Sequence, residues 1–158
     1  HPRLSSDVER FQAVFGPTLF IHLTRDNKLE QAISFVKATQ SGLWHMAPDG
    51  TELERLSEPK ELVYAADEIA RHLVELTALD KDWEDWFVRE KIDRLRITYD
   101  KLSADPEDVL ALILDQLGLD REVAKGINPA VAKLADATSQ NWVERFLAES
   151  RDDIGPQT

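Results

Sequence analysis

The run Thr18–Thr24, TLFIHLT, constrains the fold of this chain more than any other segment, because it is short and nearly continuously apolar. A strand of this kind is typical of a parallel sheet, in which other layers cover both of its faces. Its backbone groups also require neighbouring strands on both edges. The run therefore predicts a buried strand in an α/β protein.

Helices are predicted on both sides of this strand. Apolar residues at helical spacing favour a helix over residues 7–15. After the strand, Asp26 or Asn27 can cap a second helix, and Gly42 is a stop signal for it. A longer helix is predicted over residues 67–87, with Asp67 as its capping residue. The strand is thus enclosed by helical segments, as α/β architecture requires.

A second strand is predicted at residues 95–99, followed by a helix from Pro106 to Leu117. Residues 141–148 predict a short final helix. The alternation of strands and helices in this order indicates an α/β fold. Two strands cannot supply all the neighbours that the first run needs, so we expect the fold to be incomplete at its N-terminus, with further strands upstream of His1.

The charge balance excludes several classes of function. The chain has 30 acidic residues against 19 Lys and Arg, which gives a formal net charge of -11. A general nucleic-acid binder would carry a basic face, and so would a protein attracted to an anionic membrane surface. An anionic ligand must therefore be bound in a local basic pocket.

Other residue counts narrow the chemistry further. The chain has no cysteine, which rules out a disulfide framework, a thiolate nucleophile and a Cys-ligated metal. Its four histidines form no recognisable metal motif. We expect His22 to be buried in the strand and His72 to lie on an exposed helix face.

No apolar run approaches the roughly 20 residues of a membrane-spanning helix, so membrane insertion is not expected and the expected compartment is the cytoplasm.

A candidate phosphate clamp lies at the carboxyl end of the first strand. Ligands of open parallel sheets bind beyond the carboxyl ends of strands, and a helix N-terminus attracts anions. Arg25 can grip a phosphate bidentately, and Ser34, about two turns into the helix, can add a hydroxyl. The alternative is that Arg25 is merely solvated or paired with a carboxylate, and Ser34 is an ordinary helix hydroxyl.

Residues 43–64 form a long excursion with irregular patterning. The turn residues Ala47-Pro48-Asp49-Gly50 favour a hairpin within it. Long excursions in compact domains are often functional. Trp44 and His45 stand where this segment begins.

Four stretches resemble the Stf0-type family of bacterial sulfotransferases. They read FIHLTRDNKLEQAISFVKATQSGLWH, WHMAPDGTELERL, RLRITYDKLSADPEDVLALILDQLGL and KLADATSQNWVERF. Together they span nearly the whole chain after residue 18. The family transfers a sulfuryl group from 3′-phosphoadenosine 5′-phosphosulfate (PAPS), so the resemblance implies a PAPS-dependent sulfotransferase and no metal.

The resemblance also assigns residues to the donor site. Arg25 and Ser34 match the family's clamp on the 3′-phosphate, and Tyr99 matches a tyrosine that lies near the adenine. Lys133 is the nearest match to a basic residue that also reaches the 3′-phosphate, although its spacing from Trp142 departs from that of cytosolic sulfotransferases. The chain would thus hold the 3′-phosphate and adenine half of the donor site.

The acceptor and the catalytic groups follow less directly from the resemblance. It implies a carbohydrate or glycolipid acceptor, with Trp44 and His45 lining its pocket on the acceptor side, residues 43–64. The family's phosphosulfate-binding loop and its base have no match here, which places the catalytic residues upstream of His1.

The resemblance implies one sulfotransferase domain over residues 1–158, shaped as a P-loop-NTPase-like three-layer sandwich around a central parallel sheet. We expect these residues alone to be inactive. The resemblance leaves open whether the protein forms a homodimer.

Two other functions are compatible with the same elements. A P-loop-type small-molecule kinase would share the α/β order, but would bind ATP with magnesium and ignore a 3′-phosphate. A non-catalytic protein-interaction domain would instead use the tryptophan-bearing helix and the acidic excursion as a partner surface.

Overall fold

The computed structural model describes residues 6–152, which divide into two compact units. The first unit comprises residues 6–26 and 78–128, and the second comprises residues 27–77 and 129–152. The described residues confirm a mixed α/β protein. Its elements are α1 Asp7–Phe15, β1 Ile21–Thr24, α2 Lys28–Ser41, β2 Leu43–Met46, β3 Glu52–Arg55, α3 Ala66–Arg89, β4 Leu95–Thr98, α4 Tyr99–Ala104, α5 Pro106–Gln116 and α6 Ala137–Asp152, with a 3-10 helix at Arg121–Ala124.

The first unit contains the parallel strand pair β1 and β4. Thr24 of β1 lies opposite Thr98 of β4 in their register. Both strands are confirmed, although β1 begins three residues after the predicted start at Thr18, and β4 stops one residue before the predicted end. The reason is local, since the Thr98 side chain accepts a hydrogen bond from the Lys101 backbone N–H and caps α4. Tyr99 is therefore the first residue of a helix.

One face of β1 is buried and the other is exposed. His22 and Thr24 are buried, whereas Ile21 and Leu23 are 44% and 54% exposed. The Thr24 hydroxyl donates to an Asp80 carboxylate oxygen of α3 at 2.6 Å, and His22 Nε2 lies 3.5 Å from the same oxygen. Helix α3 thus covers the face that carries His22 and Thr24, whereas the face that carries Ile21 and Leu23 is partly exposed. The prediction that both faces are covered is wrong for the described residues.

The second unit is built around α2, whose two ends carry the predicted signals. The Asn27 side chain accepts from the Glu30 backbone N–H, and Gly42 ends the helix with a left-handed φ of 73°. The apolar stripe of α2 packs against α3 and α6. The core of the unit consists of Ala32, Ile33, Val36, Ile69 and Trp142.

The predicted hairpin is confirmed as the antiparallel pair of β2 and β3. Two helix starts differ from the predictions. Helix α3 begins at Ala66, so Asp67 lies in its first turn, and α6 begins at Ala137, four residues early. His72 is also less exposed than predicted, because its ring lies 4.5 Å from that of Phe35 and its side chain is only 15% exposed.

Candidate functional site

A cavity of about 330 Å³ in the second unit brings together residues that are distant in sequence. Its walls are one face of α2, strand β2 and the segment before α6. Ligand pockets commonly measure about 300–1,000 Å³, so a cavity near the lower limit suits a small ligand or one group of a larger ligand. The lining residues are Ser34, Lys37, Ala38, Ser41, Leu43, Met46, Leu62, Lys133, Leu134, Ala135 and Asp136.

The cavity is locally basic, although the protein as a whole is acidic. Two lysines, Lys37 and Lys133, and one acidic residue, Asp136, line it. Lys37 Nζ lies 2.5 Å from Asp136 Oδ1. Partial burial works to raise the pKa of Asp136, but hydrogen bonds from Lys37 and Ser139 outweigh burial and lower that pKa below its usual value. The cavity therefore has the net positive charge that an anionic ligand requires.

Two of the predicted donor residues, Ser34 and Lys133, line this cavity. Sequence reasoning missed Lys37 and Asp136. Lys37 stands one turn after Ser34, and residues three apart share a helix face, so its spacing was a usable signal. Nothing local marks Asp136 as the partner of a lysine on α2.

The other two predicted donor residues meet in the first unit. The guanidinium carbon of Arg25 lies 5.0 Å from the centroid of the Tyr99 ring, within the range of a cation–π contact. The neighbouring carboxylate of Asp26 is held by Arg96 at 2.6 Å. The four predicted donor residues thus fall into two pairs, Arg25 with Tyr99 and Ser34 with Lys133, each within one unit.

Trp44 and His45 have different surroundings on β2. The Trp44 ring packs edge-on against Phe35 with centroids 5.5 Å apart. His45 is exposed, and its Nδ1 lies 2.5 Å from Glu54 Oε2 on β3. Neither residue lines the cavity described above. Their assignment to the acceptor stays a prediction.

Among residues 6–152, no cluster of three or more metal-ligating side chains is present. No helix in that range is long and apolar enough to cross a membrane. The catalytic groups assigned upstream of His1 lie outside the described residues.

Comparison with known proteins finds one family and two curated relatives. The family model described as Stf0 sulphotransferase matches residues 1–149. A trehalose 2-sulfotransferase from Mycobacterium tuberculosis strain Erdman is 31% identical over 132 residues, which cover 84% of this chain and 46% of the relative. A trehalose 2-sulfotransferase from Mycolicibacterium smegmatis is 30% identical over 135 residues, 85% of this chain and 48% of the relative. The chain spans about half the length of the curated relatives it matches.

Proposed function

Because the chain belongs to the Stf0 sulphotransferase family, we propose that the protein transfers a sulfuryl group from PAPS to a hydroxyl of a carbohydrate. The acceptor hydroxyl oxygen bonds to sulfur while the bond between sulfur and the 5′-phosphate oxygen breaks. The hydroxyl proton passes to a base, and adenosine 3′,5′-bisphosphate leaves. In such a step, binding energy from the remote 3′-phosphate helps to orient the reacting groups.

The observation that carries this proposal is the joint presence of Ser34 and Lys133 in one basic cavity. The family resemblance assigns both residues to the 3′-phosphate, although they stand far apart in sequence. A hydroxyl donor and an ammonium group are suitable ligands for a phosphate oxygen. We therefore assign the 3′-phosphate to the Ser34 and Lys133 side chains.

The family resemblance also assigns Arg25 and Tyr99, both in the first unit, to donor binding. Both follow the carboxyl ends of paired parallel strands, which is where ligands of open α/β sheets bind. The Tyr99 ring contacts the Arg25 guanidinium, and guanidinium groups bind phosphate bidentately. The parallel pairing of β1 and β4 also supports a P-loop-NTPase-like sandwich with a central parallel sheet as the complete fold.

The acceptor assignment comes from the relatives. Both are named trehalose 2-sulfotransferase, so the acceptor proposed here is a sugar or a glycolipid with an accessible sugar hydroxyl. Residues 43–64 are the proposed acceptor side, since exposed hairpins carry specificity in many enzymes.

Calorimetric titration of the intact protein with three nucleotides tests the proposal. Adenosine 3′,5′-bisphosphate should bind more tightly than 5′-AMP, because only the former carries the 3′-phosphate. ATP with magnesium should bind no more tightly than 5′-AMP. Preference for ATP with magnesium would favour a small-molecule kinase, and no binding of any nucleotide would favour a protein-interaction domain.

A further inference from the structure

The segment that carries Lys133 has no regular structure of its own. Residues 129–136 form neither helix nor strand. Two long-range bonds hold the part of the segment around Lys133. The Ala132 backbone N–H donates to the Met46 carbonyl oxygen at 2.7 Å, and Lys37 Nζ donates to Asp136 Oδ1 at 2.5 Å. Lys133 therefore stands between two anchors, one made by the backbone and one by an ion pair.

One side chain of this ion pair, that of Lys37, is almost fully buried. The Lys37 side chain is only 10% exposed, whereas the Asp136 side chain is 55% exposed. A buried ammonium group needs an anionic partner, because removing that partner leaves an uncompensated charge. Lys37 Nζ also donates to Ser139 Oγ at 2.7 Å, which is the other bond that holds this group.

Asp136 has a second structural role at the start of α6. Its Oδ1 accepts from the Ser139 backbone N–H at 2.9 Å, as a helix-capping residue does. If capping were its only role, Asn or Ser at this position would cap the helix equally well. Only an acid can both cap the helix and neutralise Lys37, so the choice of Asp at this position ties α6 and its leading segment to α2.

We propose that Lys37 and Asp136 are positioning residues of the donor site, whose ion pair fixes Lys133 in the cavity that Ser34 also lines. This inference rests on the proposed function, in which Lys133 binds the 3′-phosphate. Lys37 acts through its partner, because two of the three N–H donors of its ammonium group are used by Asp136 and Ser139. Loss of the charge pair weakens the tie between α2 and the segment before α6, and Lys133 then departs from the geometry that a 3′-phosphate requires.

The test measures binding of adenosine 3′,5′-bisphosphate and 5′-AMP to the intact protein and its variants. Asp136→Asn keeps a capping side chain but removes the charge. We expect it to weaken bisphosphate binding about tenfold, the size of an ordinary coupling between contacting residues. Binding of 5′-AMP should change less than about twofold. Asp85→Asn is the matched control, because Lys81 and Asp85 form an ion pair of the same length that is exposed on both sides.

A double-mutant cycle separates positioning from general destabilisation. In a Lys133→Ala background, Asp136→Asn should cause no further loss of bisphosphate affinity, because there is no longer a lysine to position. Full additivity of the two losses would overturn the inference, and so would an equal loss for both nucleotides. If the intact protein does not prefer the bisphosphate over 5′-AMP, the proposed donor site fails, and the positioning role fails with it.

A second variant keeps the test decisive if Asp136→Asn does not fold. Lys37→Met combined with Asp136→Asn removes both charges of the pair, so that no unpaired charge is left at the buried Lys37 position. Its thermal midpoint should stay close to that of the parent, while its preference for the bisphosphate is lost. A folded double variant that keeps the preference would show that the pair serves stability alone.

Discussion

The Arg25 guanidinium carbon and the Tyr99 ring centroid are 5.0 Å apart, and this contact follows from strand pairing. Thr24 and Thr98 lie opposite each other in the parallel pair of β1 and β4. Parallel strands end at the same edge of a sheet, so the next residue of each strand emerges beside the other. The register of two four-residue strands therefore determines the contact between Arg25 and Tyr99, which are far apart in sequence.

This contact predicts different outcomes for two substitutions of Tyr99. Tyr99→Phe keeps the ring and should leave nucleotide binding nearly unchanged. Tyr99→Leu removes it and should weaken the binding of adenosine 3′,5′-bisphosphate by about 1 kcal/mol more than that of 5′-AMP, because a cation–π contact no longer orients Arg25. Calorimetric titration measures both. Equal losses for the two nucleotides would mean that Tyr99 contacts only the adenine they share.

Arg25 itself should discriminate between the same nucleotides more strongly. Arg25→Ala is expected to weaken the binding of adenosine 3′,5′-bisphosphate by about 2 kcal/mol or more, the usual cost of losing one partner of a close charge pair. The affinity for 5′-AMP should barely change. Arg10→Ala is a suitable control, because it removes the same charge from an exposed position on α1. A comparable loss in the control would point to a general electrostatic effect.

The elements that the sequence predicted well carry their signals locally. Asn27 and Gly42 bound α2, and the turn at Asp49-Gly50 joins β2 to β3, as their residue types indicate. The early start of α6 was missed, because Ala137 and its neighbours have no clear apolar periodicity. That start depends on Asp136, whose capping oxygen is shared with a lysine from α2.

The candidate site shows the same division between local and long-range information. Resemblance selected Ser34 and Lys133, and the described cavity contains both. Lys37 was overlooked, although its spacing from Ser34 was visible, because a lysine on an amphipathic helix is usually interpreted as a solvated residue. Its burial depends on Asp136, and no periodicity within α2 reports the position of that carboxylate.

The acceptor role of the hairpin is best tested with point variants. Leu43, Met46 and Leu62 line the proposed donor cavity, so exchanging all of residues 43–64 would disturb both sites. Trp44→Ala should raise the KM for the sugar acceptor about tenfold, as expected for loss of an aromatic contact. The affinity for adenosine 3′,5′-bisphosphate should stay the same.

His45→Ala should act on the acceptor in the same direction, since His45 is exposed beside Glu54 on the same hairpin. Val74→Ala provides the control, because it truncates an exposed side chain of α3 that lies outside residues 43–64 and lines no part of the cavity. If Trp44→Ala and His45→Ala both keep the parental KM for the acceptor, the acceptor site lies elsewhere.

Tyr64 gives the second unit a stabilisation that is lost at high pH. Burial, followed by the hydrogen bond to Glu149, raises the pKa of Tyr64 from its ordinary value of 10 to about 12. The folded state thus favours the neutral phenol, and the stabilisation is fully present below the unfolded pKa of about 10. It is lost as pH rises through the folded value of about 12.

Comparison with Tyr64→Phe isolates this contribution. The difference in free energy of unfolding between parent and variant should be constant at neutral pH and should shrink between pH 10 and about 12. Urea denaturation at several pH values measures it. The chain has two tyrosines, so in a Tyr99→Phe background the ultraviolet absorbance of tyrosinate reports Tyr64 alone. Ionisation near pH 10 in the folded protein would contradict the assignment.

Gly42 is the position in the second unit where only glycine fits, for two separate reasons. Its φ of 73° is left-handed, and a Cβ there would lie 2.5 Å from the Ser57 carbonyl oxygen and 2.8 Å from the Ser57 backbone nitrogen. Gly50 has a similar φ of 87°, but nothing lies within 4 Å of its Cβ position. The pair therefore separates backbone strain from steric overlap.

Gly50→Ala should cost about 1–2 kcal/mol of unfolding free energy, the usual penalty for a left-handed residue with a side chain. Gly42→Ala should cost at least about 1 kcal/mol more, because the Ser57 backbone must also move. That movement would distort the hydrogen bond from the Leu56 backbone N–H to the Gly42 carbonyl oxygen, which is 2.8 Å long. Urea denaturation of both variants decides the matter, and equal losses would show that the junction of α2 and β2 yields without cost.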